Sequence, residues 1–389
     1  LTGPEKKQLK KYRKRLKKDR KSAEKSIGFM RTLNDAYTEI EAHCGGTLSV
    51  DCANSYKEGE DVGFMKKLVA GGVVKMLEDG MEQWQIKDEI TGGFTHFNDQ
   101  LEYHLNPDFN PRGMVGDDPE SNENPYYGDN RVYGPDASHG THVAGIIGAK
   151  RNNGIGMDGV ANNARIMTLR VVPNGDERDK DVANAIRYAV DNGAKVVNMS
   201  FGKDVGHMDA EVESAIRYAG DHDVLLVHAA GNDGHSVDKF KNYPNGWNEE
   251  INERYDHWIE VGASRYGDYE KLAAPFSNYG EQVDVFAPGY EIYSTVPKSR
   301  YQSNSGTSMA APVVSGIAAL VRGMYPELSA AQVKSVILLS SIKFEEKVIK
   351  PGTKKKKVPF ATLSDVGGVA NLYTALALAQ SIRDNADLD

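Results

Sequence analysis

The sequence predicts an α/β protein in which a mostly parallel sheet lies between helices, preceded by a helical segment. After residue 105, short β-branched and aliphatic runs alternate with amphipathic segments. These runs are continuously apolar, as in parallel strands that are buried on both faces. Before residue 105, apolar residues recur at three- and four-residue intervals, which predicts helices. We therefore expect a helical insertion over residues 1–105 and an α/β core over residues 106–389.

The first part is predicted to begin with a long helix that has one narrow apolar seam and a basic remainder. Residues 64–90 predict further helices, separated by a break at Gly71-Gly72. The seam comprises Leu9, Tyr12, Leu16, Ala23, Met30, Leu33, Tyr37, Ile40 and Cys44.

The core is predicted from its apolar runs and its amphipathic segments. Residues 106–132 are rich in Pro, Asn, Asp and Gly and predict a long surface loop. Because parallel strands place their carboxyl ends at one edge of the sheet, we expect the site there. The predicted strands are residues 165–172, 195–202, 224–232, 258–264 and 283–289. The predicted helices are residues 179–193, 207–223, 308–325 and 329–341, and a further apolar helix follows His139 within residues 137–149.

The charge distribution argues against nucleic acid as a partner of most of the chain. Residues 1–26 hold twelve Lys/Arg and three acidic residues, which is a net charge of +9. Because the whole chain has a net charge of −8, residues 27–389 have a net charge of −17. Only residues 1–26 could attract nucleic acid or anionic lipid, and a solvated helix packed on its own protein is the alternative. No run of 18 apolar residues exists, so no transmembrane segment is expected.

Cys44 and Cys52 leave two possibilities open. They form a small disulfide loop if the protein is secreted, and they are free thiols in a reducing compartment. With only His43 nearby, they fall short of a zinc site. The sequence starts without Met and without an apolar signal region, which we interpret as a processed chain or a fragment.

Ser308 stands at the head of an apolar helix, in the stretch GTSMAAP. The free N–H groups and partial positive charge of a helix N-terminus favour an anionic oxygen there. Pro312 is expected in the first turn, where its missing N–H does no harm. A nucleophile is one interpretation of Ser308, and a helix N-cap is the other.

Two further motifs supply what a nucleophilic serine needs. In ASHGTHVAG, His139 can act as a base of near-neutral pKa, whereas His142 in the following turn is interpreted as a packing residue. In HAAGN, Asn232 follows a parallel strand and can donate to an oxyanion. An α/β-hydrolase fits the sequence poorly, because position 310 is Ala rather than Gly and the histidine precedes the serine.

HGTHVAG, AAGN and GTSMAAP, together with NMSFG, resemble the subtilisin-like serine proteases (subtilases) over about residues 106–389. The resemblance implies the subtilisin-like three-layer fold and hydrolysis of protein or peptide substrates by a serine endopeptidase. It implies His139 as general base, Ser308 as nucleophile and Asn232 as oxyanion donor.

The resemblance also implies where substrate binds. Ser200, Phe201 and Gly202 would form the edge that pairs with a substrate strand. Ala229, Ala230 and Gly231 would line the pocket for the side chain before the scissile bond, and their small size suggests a large apolar side chain. No cofactor is required, although structural calcium is possible in the acidic loop 116–129. A secreted or cell-envelope location is inferred from the resemblance alone.

The family also needs an aspartate that orients the histidine. The nearest candidate, Asp79, departs from the pattern, since Lys75 and Glu78 interrupt the apolar run and Gly80 follows directly. Asp136 is too close to His139 to come from a separate strand. We expect the aspartate upstream of Leu1, which would leave this chain alone a poor enzyme. An inactive, peptide-binding relative is the alternative.

Overall fold

The computed structural model describes residues 3–118, 121, 125–134, 136–173, 175–206, 209–248 and 251–386. The chain divides into two compact units. The helical unit comprises Leu1–Met114 and Pro173–Asp176, and the sheet unit comprises Val115–Val172 and Glu177–Asp389.

The helical unit begins with one helix of 41 residues, as the apolar seam predicts. Ala23, Tyr37 and Ile40 of that seam are buried. The predicted break at Gly71-Gly72 is wrong, because one helix continues through both glycines and ends at Glu78, with Asp79 as its C-cap and Gly80 following with a φ of +86°. The helices are α1 (Gly3–His43), α2 (Val50–Glu58), α3 (Phe64–Glu78) and α4 (Gln83–Asp99), followed by a π-helical turn at Gln100–His104.

Cys44 and Cys52 are joined by a disulfide bond. The bond connects the end of α1 to the start of α2, where Ser49 accepts a hydrogen bond from the Cys52 N–H as N-cap. Of the two possibilities left open by the sequence, the structure therefore contains the disulfide.

The sheet unit contains a six-stranded sheet. Its strands are β1 (Val196–Met199), β2 (Leu225–Ala229), β5 (Trp258–Ser264), β6 (Val285–Pro288), β9 (Ile342–Lys343) and β12 (Gly368–Val369). They lie in the order β1-β2-β5-β6-β12-β9, and all neighbouring strands are parallel except β12 and β9. Three two-stranded pairs are formed by β3 (Trp247–Asn248) with β4 (Glu253–Arg254), β7 (Ile292–Val296) with β8 (Arg300–Asn304), and β10 (Lys347–Ile349) with β11 (Lys357–Pro359).

Helices cover both faces of this sheet, which confirms the predicted α/β class. The helices are α5 (Arg112–Val115, at the junction of the two units in sequence), α6 (Ser138–Gly148), α7 (Asp179–Asp191), α8 (Asp209–Asp221), α9 (Thr307–Met324), α10 (Ala330–Leu339) and α11 (Leu372–Ala386). Alternate residues of β2 pack into two different apolar clusters, one with α9, α10 and α11 and the other with α7 and α8.

One predicted strand is not formed. Residues 165–172 have an irregular backbone, and Ile166, Met167 and Val172 are exposed. A strand is held by its ladder partners, and no described strand pairs with this segment. The apolar run therefore has the composition of a strand, but no described strand lies beside it to form a ladder.

Among the described residues, one helix is long and apolar enough to cross a membrane. This helix is α9, and most of it is buried in the sheet unit. Its apolar composition is accounted for by core packing against β1, β2, β5 and β6.

Candidate functional site

Ser308 is the second residue of α9, which begins one residue earlier than predicted. Pro312 therefore lies in the second turn, and the expectation of a first-turn proline is wrong. Because proline has no N–H, the Ser308 carbonyl oxygen has no donor at the fourth residue along the helix. The hydroxyl of Ser200 donates to that oxygen instead, at 2.9 Å.

Ser200 and Ser308 bind each other in both directions. The Ser308 hydroxyl donates to the Ser200 carbonyl oxygen at 3.1 Å. Behind this pair, Asn198 donates from Nδ2 to the Ser200 hydroxyl at 2.9 Å and accepts from the Ser315 hydroxyl at 2.9 Å. The chain segment that follows β1 therefore fixes both the main chain and the hydroxyl of Ser308.

Asn232 lies in the loop after β2 and is held by the residue that precedes Ser308. Its Oδ1 accepts from the Thr307 N–H at 2.8 Å and from the Thr307 hydroxyl at 3.1 Å. These bonds orient the amide so that Nδ2, a donor without a partner among the residues described, is available next to the start of α9. The arrangement leaves an exposed amide donor beside the serine.

A buried amide that the sequence analysis did not find shapes the same loop. Asn278 donates from Nδ2 to the Ala230 carbonyl at 2.8 Å, and its Oδ1 accepts from the N–H groups of Asp233 and His235 at 3.1 and 2.9 Å. The loop that carries Asn232 is thus held on both sides. No local motif marks Asn278, because its partners are far away in sequence.

His139 is the second residue of α6, a helix that packs against α9. Desolvation lowers the pKa of the imidazole below its ordinary value of 6.5, and His142 lowers it further, while Asp136 partly opposes both. More than a third of the residue's surface nevertheless remains open to solvent. His139 is therefore neutral, and accessible as a base, at neutral pH.

The two other residues of this motif have structural roles. Asp136 accepts from the Ser138 N–H at 2.8 Å at the start of α6, in the loop position that was predicted. His142 is buried, and its Nε2 lies 3.1 Å from the Gln302 carbonyl oxygen. Burial lowers the pKa of His142, as expected for a packing histidine.

No described carboxylate makes a hydrogen bond or an ion pair with His139. Asp79, the sequence candidate for that role, is the C-cap of α3 in the helical unit. The orienting aspartate therefore remains a prediction.

The residues predicted to bind substrate border the serine. Phe201 and Gly202 make no backbone hydrogen bond to another described residue, whereas Lys203 pairs with Tyr243 through two such bonds of 3.0 and 2.9 Å. Opposite this edge, Ala229 and Ala230 are buried at the end of β2, and Gly231 follows with a φ of +101°.

Asn242, which the sequence analysis also missed, lies between these two walls. Its Nδ2 donates to the Ala229 carbonyl oxygen at 3.0 Å. A Cβ atom at Gly202 would lie 2.4 Å from its Oδ1. The space between the walls is therefore partly filled by a polar side chain.

The acidic loop considered for calcium contains a lysine ammonium group. Lys180 Nζ pairs with the Asp117 carboxylate and donates to the carbonyl oxygens of Asp118 and Ser121 at 3.0 and 2.6 Å. A calcium ion at these oxygens would have to displace the ammonium. Residues 119, 120 and 122–124 of the loop lie outside the described residues. In the part that is described, no group of three His, Cys, Asp or Glu side chains could hold a metal ion.

Comparison with known proteins identifies relatives of this chain. The family model for the subtilase family matches residues 77–370. The chain is 44% identical over 185 residues to a thermophilic serine proteinase of Bacillus sp. (strain AK1), covering 47% of this chain and 42% of that protein. It is 41% identical over 203 residues to a cell wall-associated protease of Bacillus subtilis (strain 168), covering 52% and 21%. The chain thus spans less than half the length of either relative.

A solved structure is also similar. The protease domain of PatA superposes with a TM-score of 0.51 at 27% sequence identity, covering 65% of this chain and 84% of that domain.

Proposed function

We propose, on the premise that the chain belongs to the subtilase family, that it hydrolyses internal peptide bonds through Ser308, His139 and Asn232. Family membership supports a proteolytic function in general. The assignment of the three residues rests on the arrangement around the start of α9. The observation that carries it is the orientation of the Asn232 amide by Thr307, directly before Ser308.

In this proposal, Ser308 attacks the scissile carbonyl and His139 takes the hydroxyl proton as general base. The hydroxyl first leaves its hydrogen bond to the Ser200 carbonyl oxygen, which requires only a side-chain rotation. Negative charge then develops on the former carbonyl oxygen, and Asn232 Nδ2 and the Ser308 N–H at the start of α9 stabilise it.

The intermediate collapses when His139 donates that proton to the leaving amine, which yields an acyl-enzyme on Ser308 and a free amine. Water then attacks the ester with His139 again as base, and Ser308 is regenerated with its proton.

The substrate is proposed to bind as an added strand. The unpaired backbone groups of Phe201 and Gly202 can bond to an extended peptide. Because Asn242 partly fills the adjoining space, we expect a smaller or more polar side chain before the scissile bond than the small residues at 229–231 suggest.

A fluorophosphonate probe tests the nucleophile directly, because it reacts with an activated serine hydroxyl. We expect labelling of Ser308 in the protein and none in Ser308→Ala. Asn232→Ala is expected to lower kcat by about 10²–10³-fold with a smaller change in KM, because the amide acts mainly on the transition state. The exposed Ser335→Ala is the matched control. An unlabelled protein, or label on a residue other than Ser308, would reject the assignment.

A peptide-binding protein without activity is the second candidate. The observation that favours it is the absence of a described carboxylate bonded to His139. Such a protein would bind peptides along the edge formed by Phe201 and Gly202, and it would neither react with the fluorophosphonate nor cleave the peptide. Binding without either reaction would decide for this candidate.

A cell-envelope or secreted location is proposed as well. The Cys44–Cys52 disulfide is typical of an oxidising compartment. One relative is named as cell wall-associated. Alkylation of the native protein in its compartment, followed by mass spectrometry, should find both thiols blocked by the disulfide.

A further inference from the structure

The helical unit has an open apolar groove on the surface of α3. Phe64, Met65 and Leu68 of α3 and Phe29 of α1 line it, with exposed fractions of 80%, 43%, 60% and 53%. The groove has a volume of about 700 Å³. These large apolar side chains lie together rather than scattered, and a contiguous exposed apolar patch marks an interaction site.

Two adjacent glycines keep part of the groove open. Gly71 and Gly72 lie on α3 beyond Leu68, and no atom lies within 4 Å of the position that a Cβ would take at Gly72. Small residues on a helix surface let another backbone approach closely. The groove therefore has apolar side chains at one end and bare helix backbone further along.

The charges around the groove are all positive. Lys57, Lys67 and Lys75 line it, and no Asp or Glu does. None of these three ammonium groups forms an ion pair with a described residue, whereas the neighbouring Lys66 pairs with Glu39 at 2.6 Å. The groove thus offers apolar surface together with three positive charges that the described part of the chain does not neutralise.

We propose that this groove, defined by Phe29, Phe64, Met65, Leu68, Gly72 and its three lysines, binds an acidic amphipathic helix of another protein. Apolar residues of that helix at three- and four-residue spacing would pack on Phe64 and Leu68. Its carboxylates would lie beside Lys57, Lys67 and Lys75. This proposal does not depend on the peptidase activity.

The shape and charge of the groove favour a helix over other occupants. A second copy of the chain that docked through the same groove would bring three lysines against three lysines, which is repulsive. A bilayer takes up a convex apolar face, and this surface is concave. A small ligand is held where most of its surface is enclosed, whereas Phe64 and Leu68 are mostly exposed.

The test uses fluorescence anisotropy of a labelled synthetic peptide, about four helical turns long, with Leu on one face and Glu on the flanks. We expect saturable binding to the whole protein, and at least tenfold weaker binding to Leu68→Ser and to the double variant Lys67→Glu/Lys75→Glu. Leu339→Ser and Lys354→Glu, at exposed positions of the sheet unit, should bind the peptide normally. Circular dichroism checks that all variants keep their helix content.

Three results would overturn the proposal. These are equal binding of a scrambled peptide of the same composition, unchanged affinity of the Leu68 and lysine variants, and preference for phosphatidylglycerol vesicles over the peptide. A benzophenone on the apolar face of the peptide should crosslink to Met65, and crosslinks confined to the sheet unit would also reject the groove.

Discussion

Among the described residues, buried charged side chains are concentrated in the sheet unit, whereas Arg112 is the buried charged residue of the helical unit. In the sheet unit, the carboxylates of Asp284 and Glu260 are almost fully buried, and Asp284 pairs with Lys334 at 3.2 Å. Glu260 binds the ring of the buried His228 at 2.9 Å. In the helical unit, the ion pair of Lys66 with Glu39 is exposed, and the core between its helices is a cluster of apolar side chains.

The two units are therefore stabilised by different kinds of interaction. The buried polar groups of the sheet unit are bonded in fixed partnerships, so that removing one partner leaves another unpaired in a dry interior. The helical unit relies on apolar packing and one disulfide bond, and its surface charges are mostly replaceable. The loop with Asn232 is built in the first way, which suits a site that needs fixed geometry.

Reduction of the disulfide, which stabilises the helical unit, should give the largest effect on stability. For a loop closed by cysteines eight residues apart, the lost constraint on the unfolded chain amounts to about 2.5 kcal/mol. Thermal unfolding with and without a reductant should lower the transition of the helical unit and leave that of the sheet unit in place. A shift of both transitions would mean that the two units unfold as one.

Lys334→Met should destabilise the sheet unit by a similar amount. It removes the ammonium beside the buried Asp284 and leaves Arg254, also at 3.2 Å, as its cationic partner. We expect the free energy of unfolding of the sheet unit to fall by about 2 kcal/mol. Lys66→Met, on the exposed pair of the helical unit, should produce no resolvable change. Denaturant unfolding of both variants checks the comparison. Equal losses would show that burial does not distinguish the two pairs.

Asn278→Ala should weaken the site with less effect on the fold. The loop that carries Asn232 loses three hydrogen bonds, and we expect kcat to fall about ten- to a hundredfold, with a smaller change in KM. Gln83→Ala is the counterpart in the helical unit, because this amide also bridges three groups, Leu48, Glu41 and Gly46. Its kcat should be unchanged. If both variants keep full activity, Asn278 only supports the fold.

The smallest effect concerns the pH dependence of kcat/KM. His139 acts as a base only when neutral, and its pKa is lowered in the fold mainly by desolvation. Activity should therefore persist below the ordinary value of 6.5 and fall at lower pH, as His139 becomes protonated. A midpoint above 6.5 would reveal a carboxylate next to His139 that is not among its described partners.

The sequence predicted most of the sheet unit because its signals are local. Strand β5 matches its predicted range, and α9 and α10 begin within one residue of theirs, since apolar runs and small-residue helix starts are visible in a short window. Residues 165–172 show the limit of this approach. A continuous apolar run indicates a strand, but pairing depends on a neighbour that the run itself does not contain.

The sequence predicted the side chains of the candidate site, but it did not predict the residues that position them. Ser308, His139 and Asn232 lie in compact motifs. Asn278 and Asn242 act through bonds to carbonyl and N–H groups far away in sequence, and nothing in their own surroundings predicts those partners. The predicted helix break at Gly71-Gly72 is wrong for a similar reason. Packing of α3 in the helical unit outweighs the weak helix propensity of glycine.

Lys180 places a permanent cation among the oxygens of Asp117, Asp118 and Ser121. A bound metal ion dissociates on dilution and can be removed by a chelator, whereas this charge is attached to the chain. Its occupancy is therefore independent of concentration. Acetylation of Lys180 would remove this charge and disrupt its contacts with these three residues at one step.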